Sequence, residues 1–281
     1  MSEIDAVRAI LQTDLYQYCS FVNSDWIDTK VHRYLCNRVQ DFLEANTGHA
    51  YDILVLSMPP QHGKSKTITE TVPSWFLGHN PTKRVIEISY SEDFAEKFGR
   101  GNRRKIEEYG ASIFGISLAK SPNTATEFEL DNHSGGMISR GITSGVTGNG
   151  CSLMIIDDPV KTQQEADSES SRGRLWDEWL SSYKSRLSAG AKIIIIMTRW
   201  HEDDLAGRVI GSEKNVQVLN LPLEAEEKGD PLGRNIGDAL CPEIGKDNKW
   251  LQTLRTVLTP KREQELGTHF IRDTLQVHKV I

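Results

Sequence analysis

Apolar residues gather in short runs separated by longer stretches of helical spacing. Asp52 to Ser57 (DILVLS) is apolar at consecutive positions, which predicts a strand buried on both faces. Arg84 to Ser89 (RVIEIS), Ser152 to Ile156 (SLMII) and Lys192 to Thr198 (KIIIIMT) repeat the pattern, with a weaker run from Asn215 to Leu219. Between them lie segments of helical character. Leu35, Val39, Phe42 and Leu43 recur at helical intervals before a stop at Asn46-Thr47-Gly48. A helix is predicted from about Gly63 to Leu77, and a basic one from about Ser91 to Tyr109. A long helix from about Ala166 to Leu187 would carry Trp176, Trp179, Leu180, Tyr183 and Leu187 on one side. Residues 110 to 150 are rich in Ser, Thr, Gly and Asn and predict a hairpin with strands at Glu127 to Leu130 and Gly136 to Arg140. Strands alternating with helices imply an α/β fold, a mostly parallel sheet flanked by helices on both faces.

Hydrophobic residues at 38% of the 281 allow a packed core, so a wholly disordered chain is excluded. Thirty-three basic residues against 39 acidic ones give a net charge of -6, which argues against coating nucleic acid by bulk charge but leaves room for a local basic groove. Cys19, Cys36, Cys151 and Cys241 are far apart and contain no CxxC pair, so neither a zinc site nor a disulfide framework is suggested. The longest apolar run, Ile193 to Met197, is too short for a bilayer, and the N-terminus lacks a signal pattern; a soluble, cytoplasmic protein without membrane contact is expected.

The chemistry concentrates at the ends of the predicted strands. Met58-Pro59-Pro60-Gln61-His62-Gly63-Lys64-Ser65 lies between a strand and a helix, as a P-loop must. Its amides and the helix N-terminus favour phosphate, and Gly63 allows close backbone approach. Lys64 would reach the β- and γ-phosphates of ATP, with Pro60, Gln61, His62 and Lys66 completing the cradle. Ser65 would hold Mg²⁺. Met58 departs from the pattern, which has Gly at this position. Leu153 to Asp158 is an apolar strand ending in two carboxylates, the character of a Walker B element. Asp157 is assigned to the metal and Asp158 to the attacking water. The alternative is a solvated strand end, since Asp-Asp-Pro also suits a turn. Thr198 and Arg199 close the fourth strand, where ligands of open parallel sheets sit, and would sense and neutralise the γ-phosphate. An ion pair of Arg199 with Glu202 or Asp203 is the competing use. His201 among three acids is better read as a helix start than as a metal site.

Six segments together resemble the ATPase part of the large terminase subunit of tailed bacteriophages. They are PPQHGKS (59–65), ISYSEDFAEKFGR (88–100), GVTGNGCSLMIIDDPVK (145–161), RLWDEWLSSYKSRL (174–187), IIIMTRWHEDDLAGR (194–208) and LGRNIGDALCPE (232–243). The resemblance implies an ASCE-type P-loop NTPase core in which the Thr198 strand lies between the P-loop strand and the Asp157 strand. It also implies ATP and Mg²⁺ as ligands and a ring of subunits on the capsid portal that drives double-stranded DNA into the capsid. Portal protein and small terminase subunit are the implied partners, and the host cytoplasm with transient residence at the procapsid portal the implied location. The organisation expected is an N-terminal helical segment (1–50), a P-loop ATPase core (51–245) and a C-terminal tail or linker (246–281). The family's RNase H-like nuclease domain has no room in this chain, so nuclease activity is not expected of it.

The family often carries Arg in the P-loop, where this chain has Gln61 and His62, and in the TGxG turn, where it has Asn149. Arginine finger candidates are therefore Arg199 in the same subunit, or Arg100, Arg103, Arg104 or Arg140 reaching a neighbour. The catalytic acid is commonly Glu; here it is Asp158, with Glu165 as fallback. Lys97, Arg100, Arg103, Arg104 and Lys105 form a basic run that reads either as a solvated helix face or as a phosphate contact. Trp176, Trp179 and Tyr183 read as core rather than as base-stacking platforms. Lys184 and Arg186 are candidate DNA-backbone contacts, and Tyr34 or Leu35 candidate adenine contacts. Two readings compete with the packaging motor: another P-loop DNA translocase or helicase-like ATPase, and a nucleotide-gated DNA scaffold without turnover.

Overall fold

A computed structural model describes residues 2–142, 144, 146 and 150–265, with side chains to 256. Its strands are β1 (Tyr51–Ser57), β2 (Arg84–Ser89), β3 (Leu118–Asn123), β4 (Glu127–Leu130), β5 (Gly136–Gly141), β6 (Cys151–Asp157), β7 (Leu187–Met197) and β8 (Val216–Asn220). The helices are α1 (Glu3–Thr13), α2 (Leu15–Val22), α3 (Lys30–Glu44), α4 (Lys64–Thr67), α5 (Val72–His79), α6 (Glu92–Lys105), α7 (Ala111–Ile113), α8 (Gln163–Asp167), α9 (Glu169–Glu178), α10 (Leu205–Ser212) and α11 (Asn248–Glu265).

All eight strands join one sheet in the order β3-β4-β5-β2-β6-β7-β1-β8. Neighbours from β5 to β8 run parallel, and β3 and β4 add an antiparallel edge. The Thr198 strand, β7, lies between β1 and β6 as the family resemblance implied. β1 explains why a continuous apolar run was needed. Leu54 and Leu56 face one core with residues of α2, α3 and α5, while Ile53 and Val55 face the other with residues of α9 and α10. Helices thus cover both faces, and a parallel sheet leaves neither to water.

Several elements differ from the sequence pattern. The segment from Gly63 to Leu77 is two helices, because the β-branched run Thr67-Ile68-Thr69 and Thr71-Val72 is stiff and Pro73 has no N–H to continue a ladder. The long helix expected over 166–187 is present from Glu169 to Arg186, as α9 continued by a π-helical turn (Trp179–Tyr183) and a 3₁₀ turn (Lys184–Arg186). It differs in being parted from α8 by extended backbone at Ser168 and in giving way to β7 at Leu187. Its aromatic spacing had a core purpose. Trp179 and Tyr183 are fully buried against β6 and β7, whereas Leu180 is exposed. β3 was not anticipated; its residues are mostly polar and half-exposed, as befits a sheet edge.

The segment after β8 packs onto the sheet. Leu221, Leu240 and Cys241 enter the core that α3 covers, and two isolated bridges, Glu224 with Ala239 and Cys241 with Lys246, shape the loop. Among the described residues, no helix is long and apolar enough to cross a membrane.

Candidate functional site

β1, β6 and β7 end side by side, so their C-terminal residues share one edge of the sheet. The turn after β1 is built for this edge. Gln61 and Gly63 both have left-handed backbones, at φ 58° and 81°. At Gly63 a side chain is excluded twice, by the torsion angle and because a Cβ would lie 2.3 Å from His32 Nε2. Met58, where the usual pattern has Gly, is fully buried and belongs to the core on the α3 side. A large side chain fits there because it points away from the turn's interior into apolar surroundings.

Six side chains from the ends of three strands and the segments that follow them converge. Lys64, only 4% exposed, donates from Nζ to Asp158 Oδ1 at 2.9 Å and to Thr198 Oγ1 at 2.8 Å. The same ammonium lies 2.7 Å from Asp158 Oδ2. The Thr198 amide donates to Asp158 Oδ1 at 2.8 Å. Ser65 Oγ donates to Asp157 Oδ1 at 3.1 Å, and Thr69 Oγ1 donates to Asp157 Oδ2 at 2.6 Å. Asp158 itself has φ 41°, an unusual backbone for a residue with a side chain and of the kind that gathers at working sites.

Burial, with the neighbouring negative charge of Asp158, pushes the Asp157 carboxyl up to about 6. Such a group ionises more readily once a cation faces it. The donor set on this edge, a carboxylate and a hydroxyl, is the hard-oxygen kind that holds Mg²⁺ together with substrate phosphates. Ser65 and Asp157 therefore fit the ion. A cavity of ≈ 680 Å³ opens beside them, lined by Ser65, Asp157 and Asp158 together with Tyr90, Phe94 and Arg104.

The remaining candidates are distributed as follows. Arg199 is 5% exposed and donates from Nε to Asp204 Oδ2 at 2.7 Å, with a further bond to the Glu202 carbonyl. The partner is Asp204, neither Glu202 nor Asp203 as considered from sequence. Asp203 is held by Arg208 and Arg172 instead, and these guanidinium groups bring its carboxyl down to about 2. Asp204 also caps α10 through the Gly207 amide, in line with a helix start here.

Glu165 is exposed and accepts from the Lys161 amide at 2.9 Å, away from the cavity wall. Arg103 is engaged with Asn123 and Glu107, and Arg140 with Glu127 and the Thr126 carbonyl. Arg100 and Arg104 are exposed, and among the described residues they pair with Glu96 and Glu108, each one turn away along the same helical run. Lys66 pairs with Asp25 and Lys184 with Glu213, while Arg186 is half-buried. Leu35 is fully buried in the core and Tyr34 packs against it, so Leu35 cannot face a base. Asn149 lies outside the described residues.

Sequence reasoning missed Thr69. In the helix expected from Gly63 to Leu77 its position four residues after Ser65 was a usable signal; in the structure α4 ends at Thr67, and the turn that follows carries Thr69 to Asp157. His32 and Lys246, which touch the turn from behind, had no such signal because they are remote in the chain.

Comparison with known proteins gives the following. The sequence model of the family described as "Terminase large subunit, T4likevirus-type, N-terminal" matches residues 55–276. Among solved structures, the crystal structure of the HK97 bacteriophage large terminase superposes with a TM-score of 0.51 at 12% identity, covering 81% of this chain. The likeness at this identity concerns the fold. The chain spans 46% of the length of that terminase. No curated protein matches the sequence.

Proposed function

Because the chain belongs to the terminase large-subunit family over residues 55–276, we propose that it is the ATP-hydrolysing motor domain of a viral DNA-packaging machine. One observation carries this reading: Lys64, Asp158 and Thr198 from three separate strand ends meet in a single hydrogen-bonded group, beside Ser65 and Asp157. A bare GKS tripeptide and a solvated Asp-Asp-Pro turn would have no reason to meet.

The residues divide the work by their chemistry. The amides of the turn after β1 and the α4 N-terminus bind the phosphates, and Lys64 neutralises them. Phosphate oxygens compete with Asp158 for the Lys64 ammonium, so substrate binding frees the Asp158 carboxylate. Asp158 then accepts a proton from the water that attacks the γ-phosphorus as the bond to the ADP oxygen breaks. Thr198, bonded to Lys64 and through its amide to Asp158, registers whether the γ-phosphate is present. Ser65 and Asp157 would hold Mg²⁺, whose positive charge offsets that of the phosphates when it is bound.

An arginine supplied by a neighbouring subunit completes the site. Arg199 is committed to Asp204, whereas Arg100 and Arg104 are exposed and, among the described residues, paired with surface glutamates one turn away, pairs that water screens. Double-stranded DNA, a ring of like subunits, the portal and the small subunit are the proposed partners, with Lys184 and Arg186 as proposed backbone contacts. The host cytoplasm and the procapsid portal are the proposed places of action.

The test is steady-state ATP hydrolysis as a function of the chain's own concentration, with Lys64→Ala as control. Activity that rises faster than linearly and vanishes in the variant supports a motor completed in trans. Activity unaffected by Lys64→Ala overturns the phosphate site.

A further inference from the structure

Three consecutive carbonyls of the turn after β1 are each met by a nitrogen donor. His62 Nδ1 donates to the Pro60 carbonyl at 2.8 Å. Lys246 Nζ donates to the Gln61 carbonyl at 2.7 Å. His32 Nε2 donates to the His62 carbonyl at 2.9 Å. The last two donors come from outside the turn, one from α3 and one from the segment that leads into α11.

The peptide group is planar and trans, so its C=O and N–H point in opposite directions. Holding the Gln61 and His62 carbonyls outward therefore turns the His62 and Gly63 N–H groups inward. Those are the amides a phosphate cradle needs. Without external donors, two left-handed residues on either side of His62, Gln61 and Gly63, have no local reason to keep this orientation.

Each donor is itself fixed. To donate from Nε2, His32 must accept at Nδ1, and Thr29 Oγ1 supplies that bond at 2.8 Å. Thr29 also caps α3. The His32 ring is buried against the Trp26 ring, at a centroid distance of 5.1 Å, and burial keeps its imidazole neutral. Lys246 follows a tight turn closed by Gly245 and lies 5.4 Å from the centre of the Trp250 ring on α11.

We infer that His32 and Lys246 are positioning residues for nucleotide binding, which hold the phosphate-binding turn from behind in its amide-inward form. The inference rests on the reading of that turn as an ATP phosphate site. It also ties the C-terminal segment to nucleotide occupancy, since displacement of α11 would draw Lys246 off the Gln61 carbonyl.

The experiment measures the affinity of the full chain for ATPγS with Mg²⁺ by calorimetry, and kcat and KM for ATP. The variants are Lys246→Met and His32→Leu, which keep bulk without the donor, and Lys246→Arg and His32→Gln, which keep a donor. Unliganded melting temperatures accompany each, so that loss of fold is seen directly. The Met and Leu variants are expected to bind about three- to tenfold more weakly, with kcat at saturating ATP changed about twofold or less, because the lost bonds organise the unliganded turn rather than the reaction. Lys246→Arg and His32→Gln should stay within about twofold of the parent affinity.

Parent-like affinity in Lys246→Met and His32→Leu overturns the inference while leaving the phosphate site intact, provided Lys64→Ala still abolishes binding. Equal losses in the donor-keeping variants also overturn it. Absence of binding by the parent chain refutes the phosphate-site reading itself.

Discussion

Lys64 grips both carboxylate oxygens of Asp158, at 2.9 Å and 2.7 Å, while the side chain of Lys64 is almost wholly buried. The buried ammonium thus has its charge met by a carboxylate that is itself partly exposed. A buried charge persists only when paired, so Asp158 stabilises Lys64; on the proposed function, phosphate would take its place.

Asp158→Asn separates binding from turnover. The amide removes the carboxylate that competes for Lys64, so ATP affinity should be equal to the parent's or higher, while kcat falls by about 10²-fold or more. Calorimetry with ATPγS and steady-state hydrolysis measure the two quantities. Parent-like turnover would place the acid elsewhere, with Glu165 next to be replaced.

Gly63→Ala should abolish nucleotide binding and lower the melting temperature. The new methyl meets His32 Nε2 at 2.3 Å on a backbone with φ 81°. Relief of the clash alone should not restore function: the double variant with His32→Ala keeps the torsional strain and loses a donor to the turn. Recovery of ATP binding in the double variant would contradict this account.

The Arg199–Asp204 pair is a brace for the loop after β7. Both side chains are at most 6% exposed, so removing one partner leaves a buried charge uncompensated. Arg199→Ala or Asp204→Ala should each cost about 3 to 5 kcal/mol, with the double variant costing less than the sum. Denaturant melts decide the matter. Normal stability in Arg199→Ala combined with a collapse of kcat would instead make Arg199 a finger in its own subunit.

Glu87 makes stability depend on pH. It sits at 0% exposure in the middle of β2, and burial, with Asp157 nearby, drives its carboxyl well above the glutamate range. The folded chain therefore holds a proton that the unfolded chain releases at lower pH. Its contribution is complete in acid and shrinks as pH rises through the raised value. Glu87→Gln should flatten this dependence and match or exceed the parent's melting temperature at pH 8. Greater alkaline loss in Glu87→Gln than in the parent would show that the site stabilises the charged form.

Four apolar runs and the residues at their ends were legible because strands buried on both faces must be apolar throughout, and because chemistry in parallel sheets collects at strand ends. The residues of the turn after β1, Asp157, Asp158 and Thr198 are all local to such ends, so short-range pattern was enough to place them at one edge of the sheet. The antiparallel β3 edge was not legible, since a half-exposed edge strand carries no apolar run. The widening of the helix after Glu178 was hidden because Trp179 and Tyr183 keep helical spacing through a π-helical turn that seats both rings in the core.

Pairing was what the fold alone decided. Arg199 had three acids within reach along the chain, and only packing against α10 selected Asp204. His32 and Lys246 come from either side of the P-loop in sequence, yet reach adjacent carbonyls of it. The sequence by itself determined the alternation of strands and helices and the chemical groups at their ends, because both follow from local periodicity. Tertiary structure decided which charges neutralise each other and which remote donors hold the turn, because a hydrogen bond of 2.7 to 2.9 Å depends on where whole elements come to rest.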